Sequence, residues 1–310
     1  MRSSFPTHRP DARRSPVTAL VLVVVTAVGC APDGESAVSH RHAGATGGAG
    51  TSLGRPDEVI SGPQGDDAQF LVECDFSHAA QDDPIVHPGQ PDASHLHVFF
   101  GNTGTDAFST LESLLGGGTS CDQPLDTAAY WAPALFRNGD MLEPIGATAY
   151  YRAGVGIDPA EVEPYPPGLL MVAGNAAATE PQPLSIVAWG CGVGAERSHE
   201  PMPCPESRAL RMMVTFPDCW DGDRLDSPDH HAHVAYSTGG ACPSSHPVPI
   251  PQLQFVVEYP VWGDVSDLVL ASGGLLTGHA DFMNAWDQAK LETEVRLCLN
   301  RRIVCGIASG

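Results

Sequence analysis

Between residues 70 and 259, short runs of alternating or continuous apolar residues recur, each bounded by turn-forming residues. The runs at 70–74, 95–100, 147–151, 169–172, 185–191, 210–215, 230–236 and 253–259 are short enough for strands, and several show the period of two that puts one face in a core. Short strands joined by long Pro- and Gly-rich loops, such as residues 158–168, predict a mainly β chain. The expected architecture is an antiparallel β-sandwich or jelly-roll-like single domain. Proline has no amide proton and clashes with a preceding helical turn, so these loops are poor helix material. Helix is expected in two places. Leu111, Leu114 and Leu115 follow Thr110 at helical spacing and stop at Gly116. Asp287 is placed to cap a C-terminal helix in which Leu291, Val295, Cys298 and Leu299 form one apolar stripe.

One of these runs carries candidate chemistry. Alternation along residues 95–100 assigns Leu96, Val98 and Phe100 to the core and His95, His97 and Phe99 to the other face. A rise of ~3.3 Å per residue would set the two imidazoles roughly 6 to 7 Å apart, close enough to share one ligand or one metal ion. Neutral imidazole binds borderline metals, moves a proton near neutral pH and hydrogen-bonds to sugar hydroxyls. The bland alternative is a pair of polar histidines that satisfy a hydrogen-bonded patch. A second His-rich run holds His230, His231 and His233. On an ideal strand His230 and His233 point to opposite faces, so both reach one pocket only if a bulge or turn intervenes at Pro228-Asp229.

The N-terminus changes the setting. Arg2, Arg9, Arg13 and Arg14 precede an apolar run over residues 17–28 that is too short to span a bilayer. Residues 1–29 are therefore expected to be an export signal, and Ala27-Val28-Gly29-Cys30 resembles a lipobox whose cysteine is lipidated. Simple signal cleavage, with Cys30 left as a thiol, is the alternative. Residues 30–67 are rich in Gly, Ser, Ala and Asp and are expected to form a flexible tether to a domain at residues 68–306. The chain has nine cysteines, and setting Cys30 aside leaves eight. An even number in an exported chain implies disulfides. Cys191 with Cys204 and Cys298 with Cys305 are the local pairs expected, and the other partners stay open. No C-x-x-C occurs to support a zinc–thiolate site. A net charge of -21 repels phosphate backbones, so no nucleic-acid partner is expected.

Several separate stretches together resemble one family. They are Cys74-Asp75-Phe76-Ser77-His78, residues 82–102, Ala129-Tyr130-Trp131-Ala132-Pro133, Met171-Val172-Ala173-Gly174-Asn175, residues 219–236, residues 242–246 and residues 279–287. In this order they are similar to the DUF1996 family of secreted bacterial and fungal proteins, over nearly all of residues 74–298. The resemblance implies an extracytoplasmic location and a shared site, without an activity to carry over. The family pattern has a basic residue where His231 stands, which favours His230 and His233 as site residues. Its Asn-Gly-Trp-Asp is Asn284-Ala285-Trp286-Asp287 here.

The functional expectation is an exported, lipid-anchored surface protein with a histidine-rich pocket that acts on extracellular polysaccharide as a hydrolase or lyase with metal assistance. The alternative is a non-catalytic carbohydrate- or metal-binding module. The membrane is expected to be met through the Cys30 lipid alone. His95, His97, Asp83, Tyr130 and His233 are the candidate catalytic residues, with His95, His97 and His233 as ligands to a divalent Zn, Cu or Ca ion. His78, His230, His246, His279, Asp126, Asp281 and Trp131 are candidate ligand-binding residues. Most tryptophans and tyrosines have core packing as their plainer role. No G-x-S-x-G, H-E-x-x-H or phosphate-binding glycine loop is present, which removes the corresponding hydrolase, zinc-peptidase and nucleotide chemistries.

Overall fold

The computed structural model describes residues 56–57, 61–64, 68–194 and 196–306, and of residues 61–64 the backbone alone. The signal, the lipobox with Cys30 and most of the expected tether lie outside these residues. Within the tether span, Ser61–Gln64 forms an edge strand paired with Ile303–Cys305, so regular structure begins before residue 68.

The fold is mainly β, and two large sheets dominate it. Twelve strands build them: β1 (Ser61–Gln64), β2 (Gln69–Cys74), β3 (Phe76–Ala80), β4 (His97–Gly101), β5 (Ala129–Pro133), β6 (Gly146–Arg152), β7 (Leu170–Gly174), β8 (Val187–Cys191), β9 (Leu210–Thr215), β10 (Gln252–Tyr259), β11 (His279–Met283) and β12 (Ile303–Cys305). The first sheet has the order β1-β12-β2-β6-β10-β9-β8 and the second β3-β4-β5-β11-β7. Pairing is antiparallel except between β12 and β2. Two small three-stranded ribbons complete the sheet structure of the described residues.

The sheets face each other across aromatic side chains. Tyr130 of β5 stacks on Phe255 of β10 at 5.5 Å between ring centroids, and Phe100 of β4 meets the same ring at 5.6 Å. Strands β2 and β6 of the first sheet alternate as expected: Phe70, Val72 and Cys74 of β2 and Ala147, Ala149 and Tyr151 of β6 point into this core. The second sheet differs, since β4, β5 and β11 are buried on both faces. Its outer face is roofed by a separate apolar cluster of Ile85, Phe99, Leu114, Ala129, Trp131, Val172, Met283 and Ala285. Loops and a short helix, α1 (Leu111–Leu115), supply Ile85 and Leu114 to that roof.

Both helices form where expected. In α1 the Thr110 side chain accepts from Ser113 N while the Ser113 hydroxyl accepts from Thr110 N, a reciprocal cap. The second, α2 (Gln288–Glu294), begins at an Asp287 cap and runs into a π-helical turn at Val295–Leu299, with Leu291, Val295, Cys298 and Leu299 buried. Four disulfides join Cys74–Cys121, Cys191–Cys204, Cys219–Cys242 and Cys298–Cys305, so both local pairs form as expected. One expected strand does not form along its length: of residues 230–236 only Val234–Ala235 pairs in a ribbon. Asp229 Oδ1 accepts from His231 N and Ala232 N and His230 has φ 57°, which turns the chain before Val234. Among the described residues, no helix is long and apolar enough to cross a membrane.

Candidate functional site

The candidate site lies on the outer face of the second sheet. Strand β4 sends Val98 and Phe100 into the intersheet core and Phe99 into the outer cluster, so His97 shares the outer face with Phe99. Strand β11 does the same: Ala280 and Phe282 face inward, Met283 faces outward, and His279 and Asp281 keep its period. Both strands flank β5, where His97 is level with Pro133 and Asp281 with Trp131. One period beyond Asp281, His279 reaches the height of His97 from the other side. Neighbouring β7 places Gly174 opposite His279. Gly174 has φ +84°, and a Cβ there would lie 2.6 Å from the Gly278 carbonyl oxygen and 2.8 Å from His279 Cα, so only glycine fits beside this histidine.

Three imidazoles converge. His95 Nε2 lies 3.1 Å from His279 Nε2, the His95 and His97 ring centroids are 4.2 Å apart, and one ring nitrogen from each of the three lies within 4.8 Å of the others. Two of the three rings are oriented from behind. His97 Nδ1 donates to the Asp82 carbonyl at 3.0 Å and His279 Nδ1 to the Thr277 carbonyl at 2.8 Å. A carbonyl only accepts, so each proton sits on Nδ1 and each Nε2 presents a lone pair. Nε2 of the fully buried His97 has no hydrogen-bond partner among the described residues.

Two carboxyl groups stand behind the imidazoles. Asp83, His97 and Asp281 each offer a ligand atom within 4.8 Å of the other two. Asp83 Oδ1 accepts from Ile85 N and Val86 N, whereas Oδ2 of Asp281, 1% exposed, has no partner among the described residues. Burial raises both carboxyl pKa values, and Asp83 raises Asp281 further. Burial also lowers the three imidazoles, with His95 and His279 adding to the effect on His97 and His279 itself reaching about 4. In the folded protein the rings are therefore neutral at physiological pH, the form that coordinates a metal. The three imidazoles form one donor set suited to a divalent cation, and Asp83, His97 and Asp281 form a second that shares His97 with it.

The cluster opens into a cleft of about 640 Å³ whose walls include Asp83, His87, His95, His230, His231, His279 and Asp281. Among the described residues, neither lysine nor arginine lines it. His87, His231 and Asp229 of this cleft went unselected as site residues in the sequence. Backbone N–H bonds from Ala232, the Ser227 hydroxyl and the His231 N–H hold Asp229 ionised, well below the usual carboxylate range. Nothing in their local pattern distinguishes these side chains from turn residues.

Other expected residues lie elsewhere. His233 does not join His95 and His97: it is buried with Nδ1 beside the Ser227 hydroxyl at 2.9 Å and Nε2 donating to the Leu170 carbonyl at 2.6 Å. Both ring nitrogens are thus engaged, because the turn at Asp229 directs this ring under β7. His279 occupies the third position instead. Tyr130 faces the opposite side of its strand, where its hydroxyl donates to Asp126 at 2.7 Å and meets the Tyr151 hydroxyl. That places both Tyr130 and Asp126 in the intersheet core, with Asp126 pushed up to about 8 by burial. Trp131 is buried and stacks on Phe99 at 5.7 Å, forming structure beneath the site rather than a wall of the cleft. His78 is tied to Ser77 and to the Thr105 carbonyl, and His246 to Ser245 and the Ala232 carbonyl, and neither lines the cleft. His230 does line it, oriented by Asp226 at 3.0 Å.

A family model described as "Domain of unknown function (DUF1996)" matches residues 83–286, a span that contains all five clustered residues. No curated protein and no solved structure matches the chain.

Proposed function

The chain belongs to the DUF1996 family, whose description names no activity, and from the geometry of its site we propose an extracytoplasmic protein that binds one divalent metal ion and acts on an uncharged extracellular polysaccharide. The supporting observation is the convergence of His95, His97 and His279, beside a second group of Asp83, His97 and Asp281 that shares His97, at an open cleft. Tetrahedral zinc with Zn–N bonds of about 2.0–2.1 Å separates its nitrogens by roughly 3.4 Å, close to the His95–His279 spacing of 3.1 Å. The backbone carbonyls of Asp82 and Thr277 pre-set the tautomers of His97 and His279, so neither ring must lose a proton to coordinate. A divalent cation bound there supplies Lewis acidity toward a substrate oxygen or a water at neutral pH. Asp83 and Asp281 balance the charge of that cation, and Asp83, on the cleft wall, takes up the proton released in hydrolysis or elimination. The acidic, lysine-free cleft disfavours anionic polymers.

A second reading, a binding module without turnover, is favoured by the absence of His97 from the lining of the cleft. The two separate in one experiment. Metal-loaded protein is incubated with neutral and acidic glycans, and products are sought with and without chelator. Products that cease with chelator, return with metal and fail to form with His97→Ala support the enzyme. Retention on a glycan without products supports the module, and neither products nor retention refutes the polysaccharide reading.

A further inference from the structure

The histidine-lined cleft does not end at the metal cluster. A second depression of about 370 Å³ shares Val172, Gly174, Asn175 and His231 with it, so the two form one groove along β7. Each arm alone falls in the range of about 300–1,000 Å³ that holds a small-molecule ligand, and together they suit an extended one. The chemistry of the second arm differs from that of the first. Among the described residues its lining has no charged side chain: Ile186, Pro217 and Val234 give apolar surface, Asn175 and Gln182 give amides, and Tyr236 gives an aromatic ring. The Tyr236 hydroxyl donates to the Thr215 carbonyl at 2.8 Å, which fixes that ring at the groove wall. Asn175 Oδ1 accepts from Ala177 N, and its amide nitrogen has no partner among the described residues. His231 stands at the junction of the two arms.

Apolar faces edged by neutral hydrogen-bonding groups match a pyranose ring, which has apolar faces and hydroxyl edges. A charged polymer would find no counter-ion in this arm. We propose that the second arm is a subsite for an uncharged linear polysaccharide, holding sugar units beyond the metal cluster on Tyr236, Asn175 and His231. The subsite rests on the reading of the cleft as a polysaccharide site and adds that chain length is sensed away from the metal.

The test compares disaccharide and hexasaccharide of cello- and laminari-oligosaccharides by titration calorimetry on zinc-loaded protein, with zinc binding measured on the same sample. A subsite makes the hexasaccharide bind at least about ten-fold tighter than the disaccharide, the scale of one good aromatic contact. Tyr236→Ala erases that preference and leaves zinc and disaccharide affinities unchanged, Asn175→Ala, at a residue shared with the first arm, erases the preference and leaves zinc affinity unchanged, and Tyr236→Phe, which keeps the ring, retains it. Should Tyr236→Ala fail to fold, Asn175→Ala carries the comparison. Equal affinity for both lengths in the parent protein, or a preference that survives Tyr236→Ala and Asn175→Ala, overturns the subsite. Zinc binding without any oligosaccharide binding also overturns it and leaves the metal centre standing. A length preference without zinc binding supports the subsite and refutes the metal centre.

Discussion

Asp281→Asn tests whether the site is built for a cation at the expense of the metal-free fold. Asp281 is almost wholly buried, its Oδ2 lacks a partner among the described residues, and Asp83 lies beside it. An unsatisfied buried polar group costs about 1–3 kcal/mol, more when charged. Burial raises the Asp281 pKa in the folded state, so the folded protein holds a proton that the unfolded chain releases near pH 4. Stability is then greatest below the unfolded pKa and is lost as pH rises toward the folded pKa, by up to about 1.4 kcal/mol per pH unit for one proton. Asparagine carries no such linkage. The variant should therefore be more stable than the parent in chelator at neutral pH by about 1–3 kcal/mol, with the gain shrinking toward pH 4. With metal present the order should reverse, since the variant loses a ligand and a balancing charge. The assay is urea denaturation at several pH values, in chelator and in excess zinc, with the disulfides kept oxidised. A variant less stable than the parent in chelator at every pH, or a difference that ignores both pH and zinc, would refute the reasoning.

Other predictions concern the frame around the site. Val98→Ala opens a cavity in the intersheet core and should cost about 1–3 kcal/mol while leaving metal affinity unchanged, read by denaturation and calorimetry on one preparation. Tyr130→Phe should likewise lower the melting midpoint, since it strands Asp126, and should not touch metal binding; loss of binding would return Tyr130 to the site. Thiol titration of the denatured, unreduced domain should find no free thiol among the eight cysteines of the four disulfides. Cys30→Ser should release the protein from membranes in a fractionation experiment, and equal retention would remove the lipid anchor.

The period-two reading was legible over residues 97–100, because the alternation of His97 and Phe99 against Val98 and Phe100 follows from strand geometry alone, whereas His95 precedes the strand and its ring centroid lies 4.2 Å from that of His97 instead of the expected spacing of roughly 6 to 7 Å along a strand. Burial of the outer face was not legible, because the Ile85 loop and Leu114 of α1 that roof it come from turns whose packing no local pattern reveals. The third histidine shows the same limit more sharply. His279 meets His95 across 184 residues because β4 and β11 both flank β5, and strand order is a property of the assembled sheet. His233 looked equivalent in sequence, yet the Asp229 turn sends its ring beneath β7. Adjacent Tyr130 and Trp131 necessarily face opposite sides of β5, so no single pocket could have used both. The disulfides divide in the same way: Cys191–Cys204 and Cys298–Cys305 close short loops, whereas Cys74–Cys121, whose partners are 47 positions apart, depends on the fold.

The central claim is that His95, His97 and His279, and not His233, hold a divalent ion. Zinc titration by calorimetry against the parent, His95→Ala, His97→Ala, His279→Ala and His233→Ala, each checked for folding by circular dichroism, addresses it directly. One zinc per parent molecule, lost or weakened at least about a hundred-fold in the first three variants and kept in His233→Ala, is the result expected. A parent that binds no divalent ion, or a His279→Ala variant that binds as the parent does, would contradict it.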